Sequence, residues 1–596
     1  MGYLHHLISP RCIKQPLLGS SAKIKFRLEL FTRLASILVA SFLILVTLLP
    51  QTTRAASITI PPDIDANATS AAADEQTTSM NIIVILAEFP DAKHKVSREV
   101  IKEQVFTAVR DYYLETSYGK LSIEGDVTPD WIALPKQFSS YGNLLSWGSS
   151  DPFFELAFDV IKAADSKVDF RKYDEVIIIL PTVSMLNVAL RKPIVTNDGC
   201  SVKRVTVQKE NVGVMVLAHE LGHVLGLPDL YTHSKAEYKK LDVSPYVGPW
   251  CLMSYGYGGG EPVHFCAFSK MVLGWVPEEK IKIVPRGSTE FVTLEPLEIT
   301  TGGTQLIKIP SYGQTYYLVE ARQKVGFDKT LPDEGVLVTR VDETKAVRGT
   351  KGSGYLLISG PDDFVQVQDA EPDTSSLNDA TFDVRPGKKN VFTESSDGLG
   401  IVVLSSNDDG YQICVTTPGP AKQMSKVIDV VSQAKSGTNQ AEFDSLEAKA
   451  LLKEADNTHA SVIDLLKTDD FEGAMQEADT IKNLIDKAIS AQGNYDEATA
   501  VLTRTEDAIQ TADSEGRTYG LEAAKSLVSQ AQSRLDAYDY DGTLILAAKA
   551  KKIAEVATLP PDPLASYSWY IGIVAAVAAA TGAGIWLIKR RGKRGQ

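Results

Sequence analysis

Residues 219–229 read HELGHVLGLPD, and this stretch decides how the rest of the chain is interpreted. Its two histidines, His219 and His223, are four positions apart, so on a helix they lie on one face, one turn apart. That spacing lets both imidazoles reach one Zn²⁺ at about 2.0–2.1 Å. Glu220 then lies beside the metal and not on it, where a general base for a metal-bound water belongs.

The end of the same stretch predicts a third ligand. Gly226 allows the chain to leave the helix with a positive φ, and Asp229 then returns an oxygen ligand towards the metal. Three protein ligands with one open position are typical of a catalytic zinc site rather than a structural one. The competing interpretation is a helix with two ordinary hydrogen-bonded histidines, and the apolar flank at 212–218 suits a buried helix in either case.

A second motif follows at 250–256, which reads WCLMSYG. A methionine in a tight turn below the zinc is a feature of metzincin metallopeptidases, so Met253 is predicted to form this Met-turn. Tyr255 is a candidate catalytic residue, because its hydroxyl would reach the metal or the oxyanion. A tyrosine packed in the core fits the sequence equally well.

Further segments narrow the interpretation. They occur in a fixed order with the two motifs and are NIIVILAEFPD at 81–91, YYLETSYGKL at 112–121, the strand 175–180 after VDF and YD, FSKMVLGWV at 268–276 and YLVEARQ at 317–323. Over about 81–415 the chain resembles the immune-inhibitor-A family of secreted bacterial and archaeal metallopeptidases. It departs from that family in one respect, because Tyr173-Asp174 runs straight into the strand and leaves no calcium-binding insertion.

The resemblance implies a zinc metalloendopeptidase that acts on protein or peptide substrates. It implies His219, His223 and Asp229 as ligands and Glu220 as the catalytic base. The alternative from another class is a catalytically silent cell-surface protein with an adhesive or envelope role on the same scaffold. The intact Glu220 argues against that alternative, since binding zinc alone does not require it. A zinc hydrolase acting on a non-peptide bond is a weaker rival.

The two ends of the chain carry membrane-related signals. Residues 1–55 contain a basic stretch and an apolar run at 34–49, which predicts a signal peptide or an uncleaved signal anchor. Residues 569–588 contain no charge and are followed by a basic tail at 589–596. These features predict one C-terminal transmembrane helix, a cytoplasmic tail and an extracellular catalytic domain.

The chain has 596 residues, which predicts several domains, and its net charge of −14 argues against a nucleic-acid partner. After a linker at 56–80, alternating strands and helices at 81–280 predict an α/β (α+β) metzincin-like catalytic domain. Short alternating runs then predict a β-sandwich at 281–417. These runs are 290–294, 305–309, 315–320, 335–341, 364–368 and 400–404.

Residues 421–559 carry apolar residues at helical spacing and an internal repeat, since DFEGA at 470–474 resembles DYDGT at 539–543. The pattern predicts an α-helical hairpin stalk, with a protein-binding module as the functional alternative.

Cysteines and acidic clusters complete the candidates. Cys200, Cys251, Cys266 and Cys414 allow two disulfides in three pairings. A cysteine-ligated zinc competes with this interpretation, but the chain has no C-x-x-C spacing. The stretches DD at 362–363 and NDDG at 407–410 fit calcium ligands or, more simply, turns.

Overall fold

The computed structural model describes residues 77–145, 151–181, 183–190, 192–231, 246–254, 261–299, 302–345, 364–374, 376–407, 409–438, 441–560 and 576. All of these residues belong to one compact unit, 75–596.

The first sheet is mostly parallel, and its strands in spatial order are β2 (Leu121–Val127), β1 (Thr78–Glu88), β4 (Glu175–Leu180), β8 (Val205–Lys209) and β5 (Val188–Leu190). The short strand β3 (Ile132–Ala133) also pairs with β1. Only β5 runs antiparallel to its neighbour. The central strand β4 reads EVIIIL and is buried along its whole length, as expected for a parallel strand covered on both faces. A separate hairpin pairs β6 (Ile194–Val195) with β7 (Ser201–Val202).

Helices cover both faces of this sheet. Alternate residues of β1 point to opposite faces, so the strand contributes to a core on each side. Ile82 and Val84 join a core that includes Leu217 and Leu221, whereas Ile83 joins a second core on the other face. The helices are α1 (Arg98–Glu103), a π-helical turn (Gln104–Val109), α2 (Arg110–Thr116), α3 (Asp151–Ala164), α4 (Val214–Val224) and α5 (Ala267–Val272).

Two further sheets lie face to face and share one core, in which Val292 and Ile413 meet Val319 and Val338. The four-stranded sheet contains β10 (Glu290–Leu294), β15 (Val391–Glu394), β16 (Leu399–Asn407) and β17 (Gly410–Thr416). The five-stranded sheet contains β9 (Ile281–Ile283), β11 (Leu306–Pro310), β12 (Thr315–Arg322), β13 (Gly335–Asp342) and β14 (Val365–Val367). Short 3₁₀ segments connect the elements at Phe138–Tyr141, Phe170–Lys172, Gly248–Trp250, Glu278–Lys280, Gly326–Thr330, Glu343–Lys345 and Leu377–Asp379.

Among the described residues, five helices follow the sheets, and the first of them packs on the four-stranded sheet. Met424 and Val427 share a core with Val402 and Leu404 on that sheet's outer face. Two later helices begin at the repeated motif, where Asp470 and Asp539 each accept a hydrogen bond from a backbone N–H three residues on. The helices are α6 (Pro418–Ser436), α7 (Leu446–Lys467), α8 (Phe471–Ser514), α9 (Leu521–Asp536) and α10 (Tyr540–Val556).

The predicted mixed α/β class, with several sheets and helices, is confirmed. The predicted membrane localisation is wrong for the part of the chain that the structure describes, where no helix is long and apolar enough to cross a membrane. The physical reason is composition: even α8, with 44 residues, carries charged side chains throughout. The predicted span at 569–588 lies outside the described residues apart from Ala576, as do residues 1–55, most of the linker and the tail at 589–596.

Candidate metal centre

Helix α4 positions the first two predicted ligands and the predicted base. It begins after Gly213 and runs through the apolar sequence VMVLAHELGHV. His219, Glu220 and His223 are all buried. Both histidines lie against the chain that follows the helix, where they contact Leu227, Asp229 and Leu252. Burial removes the three side chains from bulk water, which strengthens every electrostatic interaction among them.

The end of α4 returns the third predicted ligand. Gly226 has a φ of +102°, the left-handed region that favours glycine. Its N–H donates to the carbonyl of His223 at 3.0 Å, and the N–H of Leu227 donates to the carbonyl of Gly222 at 3.0 Å. This pair of bonds is a Schellman motif, which reverses the chain within a few residues. Asp229 is thereby carried back beside the helix and is buried.

The three predicted ligands converge. The Nε2 atom of His219 lies 3.1 Å from Oδ1 of Asp229, and Nε2 of His223 lies 3.3 Å from the same oxygen. All three ligand atoms lie within 4.8 Å of one another. Tetrahedral angles around bonds of about 2.1 Å separate neighbouring donors by about 3.4 Å. The observed separations from Asp229 therefore fit a single zinc ion.

Backbone carbonyls fix the orientation of both imidazole rings. Nδ1 of His219 donates to the carbonyl of Leu252 at 2.9 Å, and Nδ1 of His223 donates to the carbonyl of Leu227 at 2.9 Å. When Nδ1 carries the proton, the Nε2 lone pair is free for a metal. The two-nitrogen, one-oxygen donor set is one that zinc prefers. The residues present therefore fit the metal that the sequence motif predicts.

The charges around Glu220 and His223 shift both pKa values in the metal-free protein. Burial raises the pKa of Glu220, although the neighbouring histidines oppose the rise. Burial lowers the pKa of His223, but the charge and hydrogen bond of Asp229 outweigh it and raise the pKa to about 9. Metal-free His223 therefore carries a proton on both ring nitrogens at neutral pH. A metal ion that binds Nε2 must displace the proton on that nitrogen.

The predicted Met-turn lies directly under α4. Met253 is fully buried, and its Sδ lies 2.5 Å from where a Cβ on Gly222 would be. The carbonyl of Met253 accepts a hydrogen bond from the N–H of Leu230 at 2.7 Å, next to Asp229. Tyr255, the predicted second catalytic residue, lies outside the described residues.

Sequence reasoning did not find the two carbonyls that hold the histidines, because backbone groups leave no signal in residue type. The motif at 317–323 contains Arg322, for which the sequence pattern predicts no role. In the structure Arg322 is fully buried and donates to the carbonyl of Trp250 at 2.7 Å. The available signal was an arginine within the strand motif YLVEARQ. An arginine that such a strand buries is rarely without partners.

The four cysteines among the described residues, Cys200, Cys251, Cys266 and Cys414, are free thiols, so the two expected disulfides are not formed. Cys251 and Cys266 are buried neighbours, with the N–H of Cys266 donating to Sγ of Cys251 at 3.3 Å. Within the described part of the chain, His219, His223 and Asp229 form the one group of three acidic, histidine or cysteine residues close enough to share a metal ion. At the predicted calcium candidates, 362–363 lies outside the described residues, and Asn407 caps a turn by accepting from the N–H of Asp409.

Comparison with known families gives one match. Residues 183–276 match the model described as the immune inhibitor A peptidase M6 catalytic domain. The matched segment contains α4, all three converging side chains and Met253, and it confirms the resemblance that the motifs indicated. No curated protein matches the chain.

Proposed function

We propose that this chain, whose residues 183–276 match the immune inhibitor A peptidase catalytic domain, is a zinc metalloendopeptidase acting on protein or peptide substrates. The observation that carries the proposal is the convergence of His219, His223 and Asp229, with Glu220 buried beside them. This is the arrangement of a hydrolytic site, because three protein ligands leave one position open for a water and the substrate.

His219 and His223 would hold the metal through Nε2, and Asp229 through a carboxylate oxygen. When bound, zinc supplies an acidified water, with a pKa near about 7, and polarises the scissile carbonyl. The chain orients these ligands before binding, because each imidazole is already fixed by a carbonyl on its other nitrogen. Little rearrangement is then needed when the metal enters.

Glu220 would act as the proton carrier. Burial raises the pKa of its carboxyl, which makes the carboxylate a stronger base than an exposed glutamate. It would take the proton of the attacking water and pass it to the nitrogen of the leaving amine. Positioned general bases contribute about 10²–10⁴-fold to the rate.

The edge of the parallel sheet supports cleavage inside a peptide rather than at its ends. Strand β5 is the last strand in the sheet order and contacts α4. An edge strand offers backbone hydrogen-bonding groups that an extended peptide can pair with. A peptide bound along such an edge continues past the site in both directions, as an endopeptidase requires.

Metal analysis combined with a mixed peptide library tests this function. The purified protein should contain about one zinc ion per chain and cut peptides at internal bonds. A chelator should abolish cleavage, and added Zn²⁺ should restore it. Stoichiometric zinc with no cleavage of any peptide or protein would overturn the proposal and favour a catalytically silent scaffold.

A further inference from the structure

Arg322 is a fully buried charge in the five-stranded sheet, outside the metal site. Its guanidinium donates from Nε to Glu298 at 2.8 Å and from Nη1 to the carbonyl of Trp250 at 2.7 Å. It also contacts Asp328 and, at 3.4 Å, Glu320. Three carboxylates thus surround the guanidinium, while one of its donors reaches across to the backbone near the Met-turn.

The segment at 250–253 connects that backbone contact to the metal site. The carbonyl of Leu252, two residues after Trp250, accepts the Nδ1 proton of His219 at 2.9 Å. The next carbonyl, on Met253, accepts from the N–H of Leu230 at 2.7 Å. Residues 250–253 therefore supply three carbonyl acceptors. That of Trp250 accepts from Arg322, that of Leu252 accepts from His219, and that of Met253 accepts from the residue after Asp229.

The same network holds the segment from His264 to Ala267, which follows the Met-turn in the sequence. Asp328 accepts the N–H of His264 at 2.8 Å, and the carbonyl of His264 accepts the N–H of Leu252 at 3.3 Å. Glu320 accepts the N–H of Ala267 at the start of α5. Both sides of the Met-turn are consequently fastened to residues that contact Arg322.

Stability alone is a weak reason for such an arrangement. Burying a guanidinium and three carboxylates costs desolvation energy that their attraction roughly repays, and apolar residues of similar volume are often as stabilising. What a guanidinium provides is geometry, because its planar fork presents five donors in fixed directions. A lysine in the same place offers a single point charge and cannot reach carboxylates and a carbonyl in the same plane.

We propose that Arg322 is a positioning residue for the metal centre, which sets the Trp250 carbonyl and, through residues 250–253, the orientation of His219 and the placement of Asp229. The inference rests on the proposed function in that the bound metal is the catalytic one. It follows that the five-stranded sheet takes part in building the peptidase site. It does so through Arg322, which lies 72 residues after Trp250 in the sequence. Loss of groups that orient metal ligands typically costs about 10–100-fold in metal affinity.

The test measures metal binding in the full chain. Zn²⁺ affinity and the visible absorption spectrum of bound Co²⁺ are compared for wild type, Arg322→Lys and the control Arg340→Gln. Arg340 lies on the neighbouring strand β13, partly exposed and 3.7 Å from Asp342. Arg322→Lys should lose about 10-fold or more in Zn²⁺ affinity and show an altered Co²⁺ spectrum. The control should keep both.

The outcomes separate positioning from simple support of the fold. A residue with a merely structural role would lower the melting temperature and leave the affinity and spectrum of the folded protein unchanged, which would overturn the proposal. If Arg322→Lys does not fold, Glu298→Ala decides, since it removes the acceptor of the Nε proton and leaves the guanidinium in place. Weaker Zn²⁺ binding in Glu298→Ala supports the proposal, and wild-type binding overturns it. Because no readout is peptide cleavage, a protein that binds zinc but cleaves nothing fails the proposed function alone.

Discussion

The sulfur of Met253 lies 2.5 Å from where a side chain on Gly222 would begin, so the Met-turn and the histidine helix are in direct contact. Gly222 stands between His219 and His223 on α4, and the absence of a Cβ there is what allows this approach. The contact places the Met-turn segment close enough for Leu252 to hold His219. Packing and ligand orientation are therefore one feature of the same interface.

Gly222→Ala should consequently destabilise the protein. The added methyl would overlap Met253, which is fully buried and has little room to move. Overpacking of this kind costs about 1–3 kcal/mol, which exceeds the gain of at most about 1 kcal/mol in helix propensity. Urea denaturation of the metal-free protein measures the change in the free energy of unfolding.

Gly493→Ala is the matched control for that substitution. Gly493 lies within α8, is exposed, and has nothing within 4 Å of its added Cβ. Here the helix-propensity gain stands alone, so the variant should be slightly more stable than wild type. Equal stabilisation by both substitutions would show that Met253 does not press on the helix.

Glu220→Gln should keep the metal and lose turnover. The amide has almost the same shape as the carboxylate and is not one of the converging ligands, so zinc content should stay near wild type. Without a proton acceptor, kcat should fall by about 10²–10⁴-fold with KM little changed. Metal analysis and steady-state kinetics on one preparation check both statements. Cleavage at the wild-type rate would remove Glu220 from the role of base.

The sequence predicted the local geometry of the site because eleven residues contain all of it. The helical spacing of His219 and His223 and the turn at Gly226 depend on neighbours in the chain, and the structure brings Asp229 back as the pattern indicated. The strand prediction at 290–294 also coincides with β10 for the same local reason.

Contacts between distant segments were beyond the reach of that reasoning. Periodicity gives no signal that Arg322 meets Trp250, or that the carbonyl of Leu252 meets His219. It also missed β15 (Val391–Glu394), a short edge strand with half-buried residues only. The predicted domain boundaries and the role of Tyr255 stay predictions.

The metal-free protein should show a pH-dependent stability that depends on Asp229. The pKa of His223 is raised to about 9 in the folded state, against an ordinary value near 6.5. A raised pKa stabilises the fold fully below about pH 6.5, and this contribution is lost as the pH rises towards 9. Asp229→Asn removes the charge responsible, so the stability excess of wild type over this variant should shrink across that window.

The quantity to measure is the difference in stability between wild type and Asp229→Asn, because Lys270 titrates in the same pH range. Burial lowers the pKa of Lys270 to about 7, although Glu298 opposes the shift, and this unfavourable contribution fades as the pH rises from about 7 towards 10.5. Its slope has the opposite sign and is common to both proteins. Thermal melts in chelator from pH 6 to 9 check the prediction, and a constant difference across that range would contradict it.

Helix α6 should stabilise the four-stranded sheet without entering the chemistry. Met424 is fully buried against Val402 and Leu404, and Ser425 donates to the Asn390 side chain at 2.6 Å. Met424→Ala should therefore cost about 2–5 kcal/mol of unfolding free energy, whereas Lys422→Ala, on the exposed side of the same helix, should cost little.

A chain that stops after Thr417 extends this test from one side chain to the whole helix. The predicted boundary between sheets and helices falls there, yet removing α6 would expose the outer sheet face, at about 1.5–3 kcal/mol for each buried apolar side chain. We expect a lower yield of folded protein but unchanged peptide cleavage per zinc-loaded molecule, because the converging ligands and Met253 all precede residue 254. Wild-type stability of this chain would show that α6 adds nothing to the sheet. Folded, zinc-loaded protein without cleavage would show that the helices contribute to the active cleft, and the division into catalytic and supporting parts would have to be redrawn.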